Sequence, residues 1–235
     1  MSESAPRPNR RRRRPAASSP NSSANSAESK TPKKTRLMGP SKAETALLPA
    51  FPGLTPDQVY VPATPIECQN AVDAILAAGI AGFDTEAKPT FRVGQKSDGP
   101  HVVQFALTDK AFIFQLHRSE CEKACAVIIS SEKVLKVGFG LKNDHTQIQR
   151  RFGIAFNNVF DLDQVFRKRG YQGQIGVRGA MGVVLNQCFK KSKSTTTSNW
   201  ALRELTPRQL LYAANDSYAA LKIMEALQAE GHLEQ

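Results

Sequence analysis

Gly82-Phe83-Asp84-Thr85-Glu86 closes an apolar run that begins at Ile80, and its reading decides the rest of the chain. The run predicts a short, buried strand ending in acids. Successive side chains of a strand point to opposite faces, so Asp84 and Glu86 share one face. Two carboxylates side by side at the rim of an apolar strand repel each other. They are tolerated if a cation lies between them or if water reaches them. An Asp-x-Glu pair is expected about once by chance in a chain of ordinary composition, so further acids are needed to give it meaning.

Two further sites supply them. Val137-Gly138-Phe139-Gly140-Leu141-Lys142-Asn143-Asp144 runs from a strand through a Gly-rich exit into a helix, placing Asp144 in the first helical turn. An acid there is also what the helix dipole alone favours. Late in the chain, Tyr212 and Asp216 stand four apart on a predicted helix and are neighbours on its surface. They flank the apolar stripe formed by Leu210, Ala213, Ala214, Ser217, Leu221 and Met224. A surface Tyr–Asp contact would look the same.

In this order the three signals resemble the DEDD superfamily of 3′–5′ exonucleases. Tyr212, four before the last acid, points to the DEDDy branch; the DEDDh branch carries His where this chain has Leu211. Val102-Val103-Gln104-Phe105 extends the first motif. Ser198-Asn199-Trp200, Arg203 and Leu205 lead into the third. The resemblance, to ribonuclease D and to the Werner helicase exonuclease domain, covers about residues 60–230. It implies a ribonuclease H-like three-layer α/β fold with a mixed five- to six-stranded sheet. It also implies two divalent ions, Mg²⁺ or Mn²⁺, held by Asp84, Glu86, Asp144 and Asp216. On the family pattern Asp84 bridges the ions, Glu86 and Asp216 complete the first site, Asp144 supports the second, and Tyr212 orients the attacking water. Hard cations prefer oxygen ligands, which suits four carboxylates. The expected product is a nucleoside 5′-monophosphate. The chain departs from the pattern in Ala87-Lys88-Pro89, where a Trp is often found, and in lacking a following HRDC-like helical domain.

Working outward from the motif, Thr64-Pro65 starts a helix that Gly79 ends, and His101–Leu107 and Ala111–Leu116 form a hairpin about Thr108-Asp109-Lys110. Helices are expected at Glu120–Ile129, Leu141–Phe152, Leu162–Arg169 and Arg178–Phe189, and strands at Val134–Phe139 and Asn158–Asp161. Thr206-Pro207-Arg208-Gln209 combines an N-cap, Pro at the first helical position and a capping-box Gln ahead of the long last helix. Strands and helices in this order make an α/β domain at 63–235, with a Pro-rich lead-in at 46–62.

The 235 residues carry 32 Lys/Arg against 21 Asp/Glu. Residues 1–45 hold eleven of the basic residues and three of the acids, so the domain itself is close to neutral. This segment includes the run Arg10, Arg11, Arg12, Arg13 and Arg14, and reads as a disordered basic arm. Such an arm is either a solubilising tail or a salt-sensitive tether to phosphate backbones; in a eukaryote it could serve nuclear import. Lys190, Lys191 and Lys193 are candidates for a phosphate track, and Asn199 for a hydrogen bond near the site. Trp200 reads as a core anchor and His145 as a surface residue. Cys68, Cys121, Cys125 and Cys188 fit neither zinc nor redox spacing and read as free thiols. No apolar run approaches the ~20 residues of a bilayer span, and the basic N-terminus, with no apolar stretch after it, is not expected to act as a secretory signal. A cytoplasmic location is expected, on a bacterial nucleoid or in a eukaryotic nucleus. The leading expectation is an exonuclease on single-stranded or frayed DNA ends. The alternatives are an exoribonuclease on small RNAs and a non-catalytic nucleic-acid-binding scaffold.

Overall fold

A computed structural model describes residues 36–90 and 97–231. The five-arginine run lies outside these residues. From Leu37 the chain is already held. Its N–H donates to the Gly170 carbonyl and its carbonyl accepts from Gln172 N–H. A short helix, α1 (Lys42–Ala46), follows behind a Ser41–Glu44 capping box. Thus the segment 37–45, expected to belong to the arm, is ordered, because its own cap and a backbone bridge satisfy its polar groups.

The lead-in continues through a 3₁₀ turn, Pro56–Gln58, to a two-residue strand, β1 (Val59–Tyr60). Then come α2 (Pro65–Ala78), β2 (Ile80–Glu86), β3 (Val102–Ala106), β4 (Ala111–Gln115), α3 (Ser119–Ser130), β5 (Leu135–Gly138), α4 (Lys142–Phe152), β6 (Val159–Asp161) and α5 (Leu162–Lys168). The chain finishes with α6 (Gly176–Val184), α7 (Lys193–Thr196) and α8 (Pro207–Ala229). Gly79 takes a left-handed φ of 69° and ends α2. The helix expected to run to Phe189 stops at Val184. Asn186 turns left-handed, and Cys188 instead exchanges backbone hydrogen bonds with Pro49 and Phe51 of the lead-in.

The sheet is six-stranded, in the order β1-β4-β3-β2-β5-β6. The β2-β3-β4 meander is antiparallel, while β1 joins β4, and β5 and β6 continue from β2, in parallel. One face is covered by α2 and α3 around Phe83, Phe105 and Phe114. The other is covered by α8, with α5 and α6 beside it. Each aromatic ring in such a core contributes on the order of 3 kcal/mol. The four cysteines are free and buried, as expected of structural thiols.

One position brings α8 onto the sheet. A Cβ on Gly82 would stand 1.9 Å from the Ser217 carbonyl oxygen. Only glycine lets the helix backbone lie directly on β2. That contact carries the neighbouring residue, Asp216, to the rim where β2 ends. Among the described residues no helix is long and apolar enough to cross a membrane.

Candidate active site

The acids meet where β2 runs out. Carboxylate oxygens of Asp84, Glu86 and Asp216 all lie within 4.8 Å of one another. Strand alternation supplies the first two. The third comes from α8, whose start is set by a complete Thr206–Gln209 capping box. Asp144 stands one step back. It accepts a hydrogen bond from the Thr85 hydroxyl, and Thr85 belongs to the opposite face of β2 from Asp84 and Glu86. It is still near enough to raise the pKa of Asp84.

The position of Asp144 depends on Asp161 at the end of β6. The Asp161 carboxylate accepts from the N–H groups of Gly140, at 2.9 Å, and Leu141, at 3.1 Å. It thereby holds the left-handed Gly140 turn that launches α4. Residue patterns alone passed over this role, although an Asp between a strand and a helix is a recognisable capping signal. Asp161 also caps α5 through Asp163 N–H. Asp163 itself is buried and lines the same cavity of about 230 Å³ as Asp84, Lys191 and Asp216.

Crowding of buried acids shows in their titration. Burial, then Asp216 and Asp144, pushes Asp84 up to about 8; burial, then Asp84 and Asp216, pushes Glu86 up to about 9. Burial also raises Asp216, against the pull of Lys191 and Tyr212. The Lys191 ammonium lies 2.9 Å from Asp216 Oδ2. Burial opposes its charge, yet Asp216 and then Asp84 outweigh that and hold its pKa above the usual value.

Tyr212 packs on the indole of Trp200 with ring centroids 5.9 Å apart. Its hydroxyl is 2.9 Å from Thr196 Oγ1. Burial and the Asp216 charge raise its pKa, so it stays a neutral phenol at physiological pH. Trp200 is a core anchor, 1% exposed, with its indole N–H donating to the Thr196 carbonyl.

Of the candidate nucleic-acid contacts, Lys191 is drawn into the carboxylate cluster. Lys190 and Lys193 are exposed, and Lys190 lines a groove of about 250 Å³ with Arg208 and Tyr212. The Asn199 side chain is exposed and its Oδ1 accepts from Ala201 N–H, capping its own turn. His145 is exposed, as expected.

The donor set fits a hard divalent cation. It consists of carboxylate oxygens alone; of the buried Asp216 oxygens, Oδ2 faces the Lys191 ammonium and Oδ1 has no hydrogen-bond partner. A buried acceptor without a partner is costly in a folded protein unless an ion or water completes it.

The chain resembles known proteins in sequence and in fold. Over 151 residues, 63% of the chain, the sequence is 28% identical to the mouse bifunctional 3′-5′ exonuclease/ATP-dependent helicase WRN. That stretch is 11% of the mouse protein's length, so the chain spans a small part of it. The fold resembles the Aedes aegypti Nibbler EXO domain, with a TM-score of 0.64 at 21% identity over 75% of this chain and 90% of that one. It also resembles Escherichia coli RNase D, with a TM-score of 0.61 at 19% identity over 74% of this chain and 46% of that one. Residues 61–232 match the 3′-5′ exonuclease domain family, and the chain belongs to it.

Proposed function

We propose that the chain shortens nucleic-acid strands from their 3′ ends by metal-dependent hydrolysis, releasing nucleoside 5′-monophosphates, with DNA as the substrate. The convergence of Asp84, Glu86 and Asp216 at the end of β2 carries this reading. In it, these three would hold the cations, and Asp144 would support a second ion. Two divalent ions, Mg²⁺ or Mn²⁺, would supply an activated water and neutralise charge on the attacking and leaving oxygens. The protein's own part is positional. Thr85 fixes Asp144, the Gly82 contact fixes Asp216 against Asp84, and Tyr212, kept neutral, offers a hydroxyl beside the cluster to orient the attacking water. Lys190 and Lys193 supply positive charge along the cleft for the strand's phosphates.

The matching family model, named for the exonuclease of a DNA polymerase, supports DNA. A second reading, RNA, is favoured by the fold's likeness to Trypanosoma brucei RNase D, solved in complex with RNA U12. Matched DNA and RNA oligonucleotides, labelled at either end and digested with and without Mn²⁺, separate the two. Mononucleotide release from the 3′ end of DNA is the expected result, and shortening of RNA alone would replace the DNA reading. Asp84→Ala is expected to abolish cleavage while strand binding survives. Residual cleavage at the wild-type rate would remove the carboxylate cluster from the reaction.

A further inference from the structure

We propose that the Lys191 ammonium is the cation this site carries when metal is absent, and that a divalent ion loads by displacing it from Asp216. The proposal rests on the metal-dependent reading above and adds a step to it. Asp216, whose oxygens lie with those of Asp84 and Glu86 within 4.8 Å of one another, needs a counter-charge if it is to ionise. Asp216, 4% exposed, cannot obtain it from water. Lys191 Nζ, at 2.9 Å from Asp216 Oδ2, provides it.

The contact is built to be surrendered. It joins one flexible, partly exposed lysine to a buried carboxylate across 2.9 Å. The Lys191 side chain is 38% exposed and sits on the link between Phe189 and α7, so its flexible stem can swing into the cleft without disturbing the core. The Tyr212 ring, 5.7 Å from Nζ, offers a second resting place. Ammonium and metal exclude each other on Asp216. A divalent ion bound to that carboxylate at about 2.0–2.6 Å would lie beside the lysine charge, and two cations on one carboxylate repel. Once displaced, the ammonium remains tethered at the site, available to a substrate phosphate.

The test is Mn²⁺ binding to the full chain without nucleic acid, followed by titration calorimetry. Lys191→Met removes the competitor while keeping the length of the stem, and is expected to bind Mn²⁺ about tenfold more tightly, a moderate gain for a partly exposed pair. Lys191→Arg is expected to match the wild type or bind more weakly. Equal or weaker binding by a folded Lys191→Met would overturn the exchange while leaving the metal site in place. If the wild type binds no divalent ion, the metal-dependent reading falls first and the exchange with it. Should Lys191→Met fail to fold, the wild type still decides. The ¹⁵Nζ resonance of its ion-paired lysine is expected to move as Mg²⁺ is added, and a resonance unmoved at saturating Mg²⁺ sinks the proposal.

Discussion

Asp84 and Glu86 are held in a fold that resists their charge, which gives residue-scale predictions with a definite sign. Their folded-state pKa values are raised to about 8 and about 9, mainly by burial. The unfolded chain titrates near 4. The stability linked to these groups is therefore full below about pH 4 and is lost as pH rises through about 8 and 9. In EDTA, the melting temperature of the wild type is expected to fall from pH 5 to pH 8 relative to an Asp84→Asn/Glu86→Gln double variant. The difference between the two isolates these acids from His101 and His117, whose lowered pKa values act in the opposite sense. Added Mg²⁺ should recover more stability at pH 8 than at pH 5. Parallel curves for the two proteins would show that the cluster does not strain the fold. At pH 8 without metal, Asp84→Asn alone should melt higher than the wild type, by about 2–4 °C, while losing cleavage. A lower melting temperature would mean that the carboxylate is needed for folding.

Between elements, the decisive contact is α8 against β2. Gly82→Ala would set a methyl carbon 1.9 Å from the Ser217 backbone oxygen, and no flexible side chain is there to yield. The helix must lift, at a cost of about 1–3 kcal/mol, and Asp216 moves away from Asp84 with it. Weakened Mn²⁺ affinity together with lowered denaturant stability is the expected result. Loss of stability with unchanged metal affinity would show that the cluster tolerates a shifted helix. Most elements were legible beforehand because their signals are local: Thr64-Pro65 and Gly79 bracket α2, and the Thr206 capping box opens α8. β1 was not, since two residues carry no readable period; β1 exists because β4 offers it an edge. The end of α6 was read five residues too late because its stop comes from the backbone pairing of Cys188 with the lead-in, a partner more than a hundred residues away.

For the molecule as a whole, charge is unevenly spread along the chain. Most of the basic excess precedes the domain, whereas residues from Leu37 onward are tied to it. Deleting residues 1–35 is therefore expected to weaken nucleic-acid binding and flatten its salt dependence while the domain melts as before. An unchanged salt slope would assign the phosphate contacts to the domain. Removing residues 1–45 should in addition lower stability, because it takes away α1 and the Leu37 bridge. By itself the sequence determined the α/β class and the order of most elements, since periodicity and caps are written locally, and its resemblance to a known family singled out Asp84, Glu86, Asp144, Tyr212 and Asp216. Tertiary structure alone decided that Asp144 stands behind Thr85, that Asp161 holds its turn and that Lys191 sits against Asp216 instead of lying along an open track. Those outcomes depend on which backbone approaches which, and on the need of buried charge for a counter-charge, and neither is set by any one stretch of chain.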